Sequence, residues 1–237
     1  MMPREKSMPD PAFDAFAEDY ETALQKGLCY TGEDRWYFAR GRCARTRESL
    51  GSAAGTVKRI LDFGCGTGTA TRPLQEAFGG ATVIGTDPSE ESRRVAAEDH
   101  AGLPCQFLAA EALANEAPCD LAYCNGVFHH IPVAERDDAI ASIFKALKPG
   151  GHFALWENNP WNPAVWFVMS RVPFDHDAIL LWPRETRMRL RAAGFRIIET
   201  RFWFVFPAAL ARLRFSEKAL SRMPLGGQYV VLAQKPA

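Results

Sequence analysis

The chain has 237 residues, 47% of them hydrophobic, with 28 basic and 28 acidic side chains. That length and composition suffice to bury a large core, either as one domain or as one domain with a helical extension. No stretch approaches the ~18 continuous apolar residues of a membrane span, and the opening MMPREKSMPDP has no apolar signal region, so a cytoplasmic protein without a membrane span is expected.

The first segment, residues 10–50, has helical spacing, with Phe13, Phe16, Tyr20 and Leu24 three and four apart. Gly27 and Thr31-Gly32 interrupt it before a second helical segment containing Trp36-Tyr37-Phe38, and GSAAGT (51–56) reads as a connector. Residues 1–55 are therefore expected to form an N-terminal helical cap, and 56–237 the main domain. Val57–Phe63 reads as a strand, followed by a glycine turn and a helix that stops at Gly79-Gly80. Ala81–Thr86 is the second strand, and Ser89 is placed to cap the next helix, with Glu90 and Glu91 at its positive end. Cys105–Leu108 and Leu121–Cys124 are short apolar strands. Ile140, Ile143, Phe144 and Leu147 share one helical face, Lys148-Pro149-Gly150-Gly151 ends that helix, and His152–Trp156 is the fifth strand. A loop over 157–183 precedes a helix of about ten residues that stops at Gly194. The strands Phe195–Phe206 and Gln228–Gln234 follow, joined by a helical stretch around 208–221. Strand–helix alternation implies a parallel sheet covered on both faces. The last two strands break the simple repeat, which leaves room for one antiparallel strand.

The cysteines (Cys29, Cys43, Cys65, Cys105, Cys119, Cys124) form no CxxC pair and sit mostly among apolar residues, so they read as reduced core thiols, with neither disulfide nor metal site expected. Charge is uneven: residues 151–237 carry 12 basic and 6 acidic side chains. That surplus suits an anionic substrate or RNA, or the solvated side of a helix bearing Arg184, Arg187, Arg189 and Arg191. No basic run interleaved with aromatics is present, so nucleic acid is not the expected partner.

The segment Ile60-Leu61-Asp62-Phe63-Gly64-Cys65-Gly66-Thr67-Gly68 ends a strand and opens a helix. Its glycines permit a sharp turn and close approach of a ligand to the helix's positive end. Asp87 ends the second strand, where a carboxylate accepts the ribose hydroxyls of an adenosine-containing cofactor. A dinucleotide fingerprint would need glycine where Thr69 stands, and Asp62 before the turn would repel a pyrophosphate but suit a cationic amino group. This pattern resembles motif I of the class I S-adenosylmethionine (SAM)-dependent methyltransferases. TDPSEES is similar to the family's ribose-binding turn, CDLAYCNGVFHHI to its fourth strand and following helix, and LKPGGHFAL to its helix–turn–fifth-strand signature. The nearest resemblance is to small-molecule enzymes of the ubiquinone/menaquinone-methylase type.

The resemblance implies a doubly wound, mostly parallel seven-stranded α/β sheet of the Rossmann-like methyltransferase type. It implies SAM as cofactor and S-adenosylhomocysteine as product. Gly64, Cys65 and Gly66 would offer backbone to the methionine part, Asp62 would face its amino group, and Asp87 with Pro88 would form the ribose turn. Asn125 would lie beside the methionyl portion. Where such enzymes often carry Asp-Ala after the third strand, this chain has Ala109-Ala110. Ala110 retains a backbone contact to adenine, and Glu111 is either a replacement acceptor or a solvated helix-start glutamate.

Methyl transfer needs alignment of donor and acceptor, and a base only where the nucleophile must lose a proton. His129 and His130 follow the fourth strand and are the candidates for base or orienter, the alternative being a core or capping hydrogen bond. Asn158-Asn159-Pro160-Trp161 looks like the Asn-Pro-Pro-Tyr clamp of nucleobase-amino methyltransferases. That clamp lies after the fourth strand, however, and this tetrapeptide follows the fifth. The 157–183 loop is instead expected to be a hydrophobic lid over an aromatic or aliphatic acceptor, with Trp161 and Trp166 as apolar contacts and Glu157, Asn158 and His176 as polar ones. Core packing or a dimer contact is the other reading of its tryptophans. The expectation is a methyltransferase, monomeric or homodimeric, acting on a small, partly apolar molecule, preferentially at oxygen. An RNA- or protein-modifying methyltransferase and a non-catalytic SAM-binding relative are the rivals.

Overall fold

The computed structural model describes residues 31–171 and 178–237. Helix α1 (Arg35–Leu50) starts where the Asp34 carboxylate accepts from Tyr37 N–H, and it ends at Gly51. A 3-10 turn over Gly51–Thr56 leads into β1 (Arg59–Phe63). The order continues α2 (Thr71–Ala77), β2 (Thr82–Thr86), α3 (Glu90–Asp99), β3 (Cys105–Leu108) and β4 (Cys119–Asn125). It then runs α4 (Arg136–Ala146), β5 (Leu147–Asn158), α5 (Pro163–Met169), α6 (Pro183–Ala192), β6 (Arg196–Trp203), α7 (Glu217–Leu220) and β7 (Gln228–Gln234). Of the expected N-terminal cap, α1 and the 3-10 turn are described. Phe13, Phe16, Tyr20 and Leu24 lie outside the described residues.

The seven strands form one sheet in the order β3-β2-β1-β4-β5-β7-β6. β1 to β5 pair in parallel, while β7 runs antiparallel to both β5 and β6. The sheet is thus the doubly wound, mostly parallel one expected, with β7 as the antiparallel strand. Alternation along the strands divides the core between the two faces. Ile60, Leu121, Tyr123 and Trp156 pack against Cys43 and Leu50 of α1 on one side. Leu61, Ala122, Phe153 and Leu155 pack against Ile140, Ile143 and Leu190 on the other. Ser89 caps α3 by accepting from Ser92 N–H.

Three of the differences from the expected boundaries bear on the cavity. β5 begins at Leu147, which pairs with Cys119 of β4, and reaches Asn158 rather than spanning His152–Trp156, because β7 pairs along it as far as Asn158↔Gln228. The 157–183 stretch is partly regular: Asn162 caps α5 through a bond accepted from Ala164 N–H, with Pro163 in the first turn, where no N–H is needed. The sixth strand stops at Trp203 rather than Phe206, because Phe204 takes a left-handed conformation with φ 64°.

Candidate active site

The chain order reverses direction between β1 and β4, and in such a sheet the crevice at the C-terminal strand ends receives ligands. The turn after β1 is built for this. Gly64, Gly66 and Gly68 all have positive φ. Gly64 N–H and Cys65 N–H both donate to Thr86 O, which ties the turn to the end of β2. A Cβ on Gly64 would come within 2.3 Å of Val127, whereas one on Gly66 would meet nothing within 4 Å. Gly64 therefore lets β1 approach the segment after β4, and Gly66 leaves backbone open to a ligand.

Asp87 leaves β2 beside this turn, its two carboxylate oxygens accepting from Gly66 N–H (2.9 Å) and Ser89 N–H (3.0 Å). Its carboxylate, an acceptor with several lone-pair sites, is thereby fixed beside the turn. Pro88, Ala110 and Glu111 are exposed near the same sheet edge, where Asp87 N–H donates to Leu108 O at the end of β3.

A cavity of about 430 Å³ opens beyond the turn, lined at this end by Asp62, Gly64, Cys65, Gly66, Tyr123 and Asn125. Asp62 is 3% exposed, and its Oδ2 has no hydrogen-bond partner. Burial, reinforced by the negative charge of Asp87 and opposed by Arg42, pushes its carboxyl up to about 7. Asn125 Oδ1 is also buried without a partner. Opposite stands Arg42 of α1, 8% exposed and also lining the cavity. Its guanidinium donates from Nε to Tyr123 Oη (3.1 Å) and from one terminal nitrogen to Gln228 Oε1 (3.0 Å). Both partners are neutral, so a buried guanidinium and a buried carboxyl group face one cavity end without pairing directly. This suits a zwitterion carrying an ammonium and a carboxylate. Arg42, Tyr123 and Gln228 carried no signal in the sequence, since an arginine in a helix of a chain this rich in arginine has nothing to distinguish it.

His129 and His130 line the same cavity, with ring centroids 4.1 Å apart. Glu157 does not line it, contrary to the expected acceptor contact. Strand alternation puts Glu157 on the face opposite Trp156 and Asn158, fully buried. There its Oε1 accepts from Phe128 N–H (2.8 Å) and its Oε2 pairs with His129 Nδ1 (2.6 Å). Asn158 does line the cavity, as expected, while Asn159 is buried and donates to Pro224 O and Gly226 O. The NNP element thus anchors the turn before β7.

The expected apolar contacts are reassigned as well. α5 turns Val165 and Met169 inward, whereas Trp161 and Trp166 stay 49% and 52% exposed, outside the cavity lining. Trp161 packs edge-on against Trp182, and Trp166 Nε1–H donates to Pro160 O. The lid expected over 157–183 therefore presents Val165, Val168 and Met169 to the cavity. The opposite wall is Tyr37, Phe38, Phe204 and Phe206, none of which was singled out from sequence. His176 lies outside the described residues.

Residues 60–151 match the family model described as a methyltransferase domain. The chain is 34% identical over 143 residues to an uncharacterized methyltransferase of Geobacillus kaustophilus, covering 59% of this chain and 61% of that protein. It is 35% identical over 141 residues to a ubiquinone biosynthesis O-methyltransferase of Idiomarina loihiensis, covering 56% and 55%. The chain thus spans less than two thirds of the length of these curated relatives. Among solved structures, magnesium protoporphyrin IX methyltransferase from Synechocystis with bound S-adenosylhomocysteine superposes with a TM-score of 0.64 at 17% identity, covering 98% of this chain and all of that one. Residues 60–151 are thus similar to a methyltransferase domain, and the sheet has the fold of SAM-dependent methyltransferases. The family's cofactor fits the residues present. The orphaned Asp62 Oδ2 and the Arg42 guanidinium match the two charges of a methionine end, and the open Gly66 and the fixed Asp87 carboxylate match a nucleoside. Among the described residues no helix is long and apolar enough to cross a membrane.

Proposed function

We propose that the chain transfers a methyl group from SAM to a hydroxyl of a small, partly apolar or aromatic acceptor, with residues 1–55 capping the 56–237 domain. The observation that carries this reading is the single cavity joining the Asp62–Arg42 end to an aromatic and aliphatic enclosure, with His129 in its wall. Asp62 would take the ammonium of the methionine end and Arg42 its carboxylate, with Asn125 beside the methionyl chain. Asp87, with Pro88, would hold the ribose, and Ala110 and Glu111 would border the adenine. The cofactor supplies a methyl carbon made electrophilic by a positively charged sulfur.

The chain's own contribution is positioning and one proton. Glu157, by engaging His129 Nδ1–H, fixes the imidazole so that Nε2 carries the lone pair. His129 Nε2 would accept the acceptor's hydroxyl proton, and the buried Glu157 carboxylate would stabilise the imidazolium that results. His130 and Asn158 would orient the acceptor. Val165, Val168 and Met169 would exclude water from the approach.

Calorimetric titration with S-adenosylhomocysteine, followed by a screen of hydroxyl-bearing acceptors with methyl-labelled SAM, tests the reading. Saturable binding and label on oxygen are expected. No heat at millimolar S-adenosylhomocysteine would overturn it.

A further inference from the structure

The backbone at Phe204 is in a conformation that a bulky side chain ordinarily avoids. Its φ is 64°, the single positive value at a non-glycine among the described residues. Three contacts hold it there. Gly227 N–H donates to Phe204 O (3.0 Å), and the next two amides, Val205 and Phe206, both donate to Glu217 Oε1 (2.9 and 3.1 Å). Glu217 is itself only 3% exposed, so a buried carboxylate is committed to shaping this turn. A glycine would take the same turn without strain, which makes the ring the feature that the strain serves.

The ring of Phe204 stands against α1. A Cβ on Gly41 would lie 2.8 Å from Phe204 Cε1, so the ring seats in the gap that this glycine leaves. Around it the ring centroids of Phe38, Tyr37 and Trp156 are 5.1, 6.0 and 6.2 Å away, at interplanar angles of 68°, 64° and 45°. Tyr37 and Phe38 meet the ring edge to face and Trp156 meets it tilted, so Phe204 is locked as part of a stiff wall. The same cavity is lined from α5 by Ala164, Val165, Phe167, Val168 and Met169. A cavity lined by aromatic, aliphatic and thioether groups recognises a flat, apolar ring, since aromatic faces and methionine sulfur both gain from ring contact.

We propose that Phe204 is the specificity-determining residue of the acceptor site, selecting an acceptor whose hydroxyl sits on a planar aromatic ring over one whose ring is not planar. This rests on the methyl-transfer reading above and deepens it. Phe204 lies on a different segment from the groups assigned to the cofactor: it follows β6, whereas they follow β1, β2 and β4 or lie on α1.

The test uses the full chain saturated with S-adenosylhomocysteine and two probes, catechol and cyclohexane-1,2-diol, which carry the same hydroxyls on a planar and a non-planar ring. Binding followed by calorimetry should favour catechol by roughly tenfold in the natural protein. Phe204→Ala should remove that preference while leaving S-adenosylhomocysteine affinity within about twofold. Phe204→Gly should lose catechol equally yet melt no lower than Phe204→Ala, because glycine relieves the turn. Restored discrimination in Phe204→Tyr would support the assignment. Equal binding of the two probes to the natural protein, or binding of neither while S-adenosylhomocysteine still binds, would overturn the inference and leave the methyl-transfer reading standing. Loss of S-adenosylhomocysteine binding in parallel with catechol in the variants would also overturn it. Failure of S-adenosylhomocysteine to bind the natural protein would remove both.

Discussion

The two ends of the cavity are built by different means. The end proposed for the cofactor is assembled chiefly from units of one repeating pattern, β1 with its glycine turn, β2 with Asp87 and β4 with Asn125, with Arg42 of α1 beside them. The acceptor end is assembled from pieces far apart in the chain: α1, the lid helix α5 and the turn after β6. The first is held chiefly by backbone hydrogen bonds that any sequence with the right glycines would make. The second is held by side chains, namely Glu217 on two amides, Asn159 on two carbonyls and Phe204 on Gly41. A fold can thus keep one ligand end constant while the other varies with a few side chains.

Substitutions at the two ends should separate along this line. The largest effect is expected for Asp87→Ala, which removes the carboxylate that fixes Gly66 N–H and that is proposed to hold the ribose. S-adenosylhomocysteine affinity should fall by roughly 100-fold or more, measured by calorimetry. An unchanged dissociation constant would put the ribose elsewhere.

Asp62→Asn should also weaken S-adenosylhomocysteine, by about 10- to 100-fold, but with the opposite effect on the free protein. The Asp62 carboxyl titrates near 7 in the folded chain, against an ordinary value of 3.8. A folded value raised in this way favours the native state at low pH, and the benefit is lost as pH rises from about 4 through 7. The ligand-free protein should therefore lose stability across that window, and Asp62→Asn should restore on the order of 2 kcal/mol at pH 8, visible as a Tm higher by several degrees. Ligand affinity should rise over the same window in the natural protein, because an ammonium needs the ionised carboxylate, and the variant should be flat. A natural protein with no pH dependence of affinity between 5 and 8 would contradict the Asp62 assignment.

Glu157→Gln probes the join between the two ends. With an accepted phenol, kcat should fall roughly 10- to 100-fold with KM little changed, and nitrogen-15 spectra of the His129 ring should show mixed tautomers. A kcat within twofold of the natural value would leave Glu157 a structural group alone. The smallest effect is expected for Trp161→Ala and Trp166→Ala. Both side chains are half exposed and outside the cavity, so acceptor kcat/KM should stay within about threefold, a result that would confirm α5's inward face as the lid.

The contrast also explains which residues were legible. Asp62, Gly64, Gly66 and Asp87 could be read directly because a strand, a turn and a helix start are local events whose residue types follow from short-range sterics and hydrogen bonding. Glu157 was recognised as a residue of interest but misassigned. Its position depends on strand parity, and β5 runs two residues further than its apolar pattern suggested. Trp161 and Trp166 attracted notice by residue type, yet the rotation of α5 turns the less conspicuous Val165 and Met169 inward. Arg42 and Phe204 left no trace, since each takes its meaning from residues distant in the chain: Tyr123 and Gln228 in one case, Gly41 and Glu217 in the other.

By itself, then, the sequence determined the alternating architecture, the glycine turn, the acids that flank it and the antiparallel exception near the C-terminus. All of these follow from periodicity and from the conformations open to individual residues. Only the tertiary structure decided which side chains share the acceptor end, that Glu157 serves His129 rather than the cavity, and that Phe204 spends backbone strain to hold a ring in the wall. Those outcomes depend on packing between distant segments, where one residue of strand length or a rotation of one helix changes which groups meet.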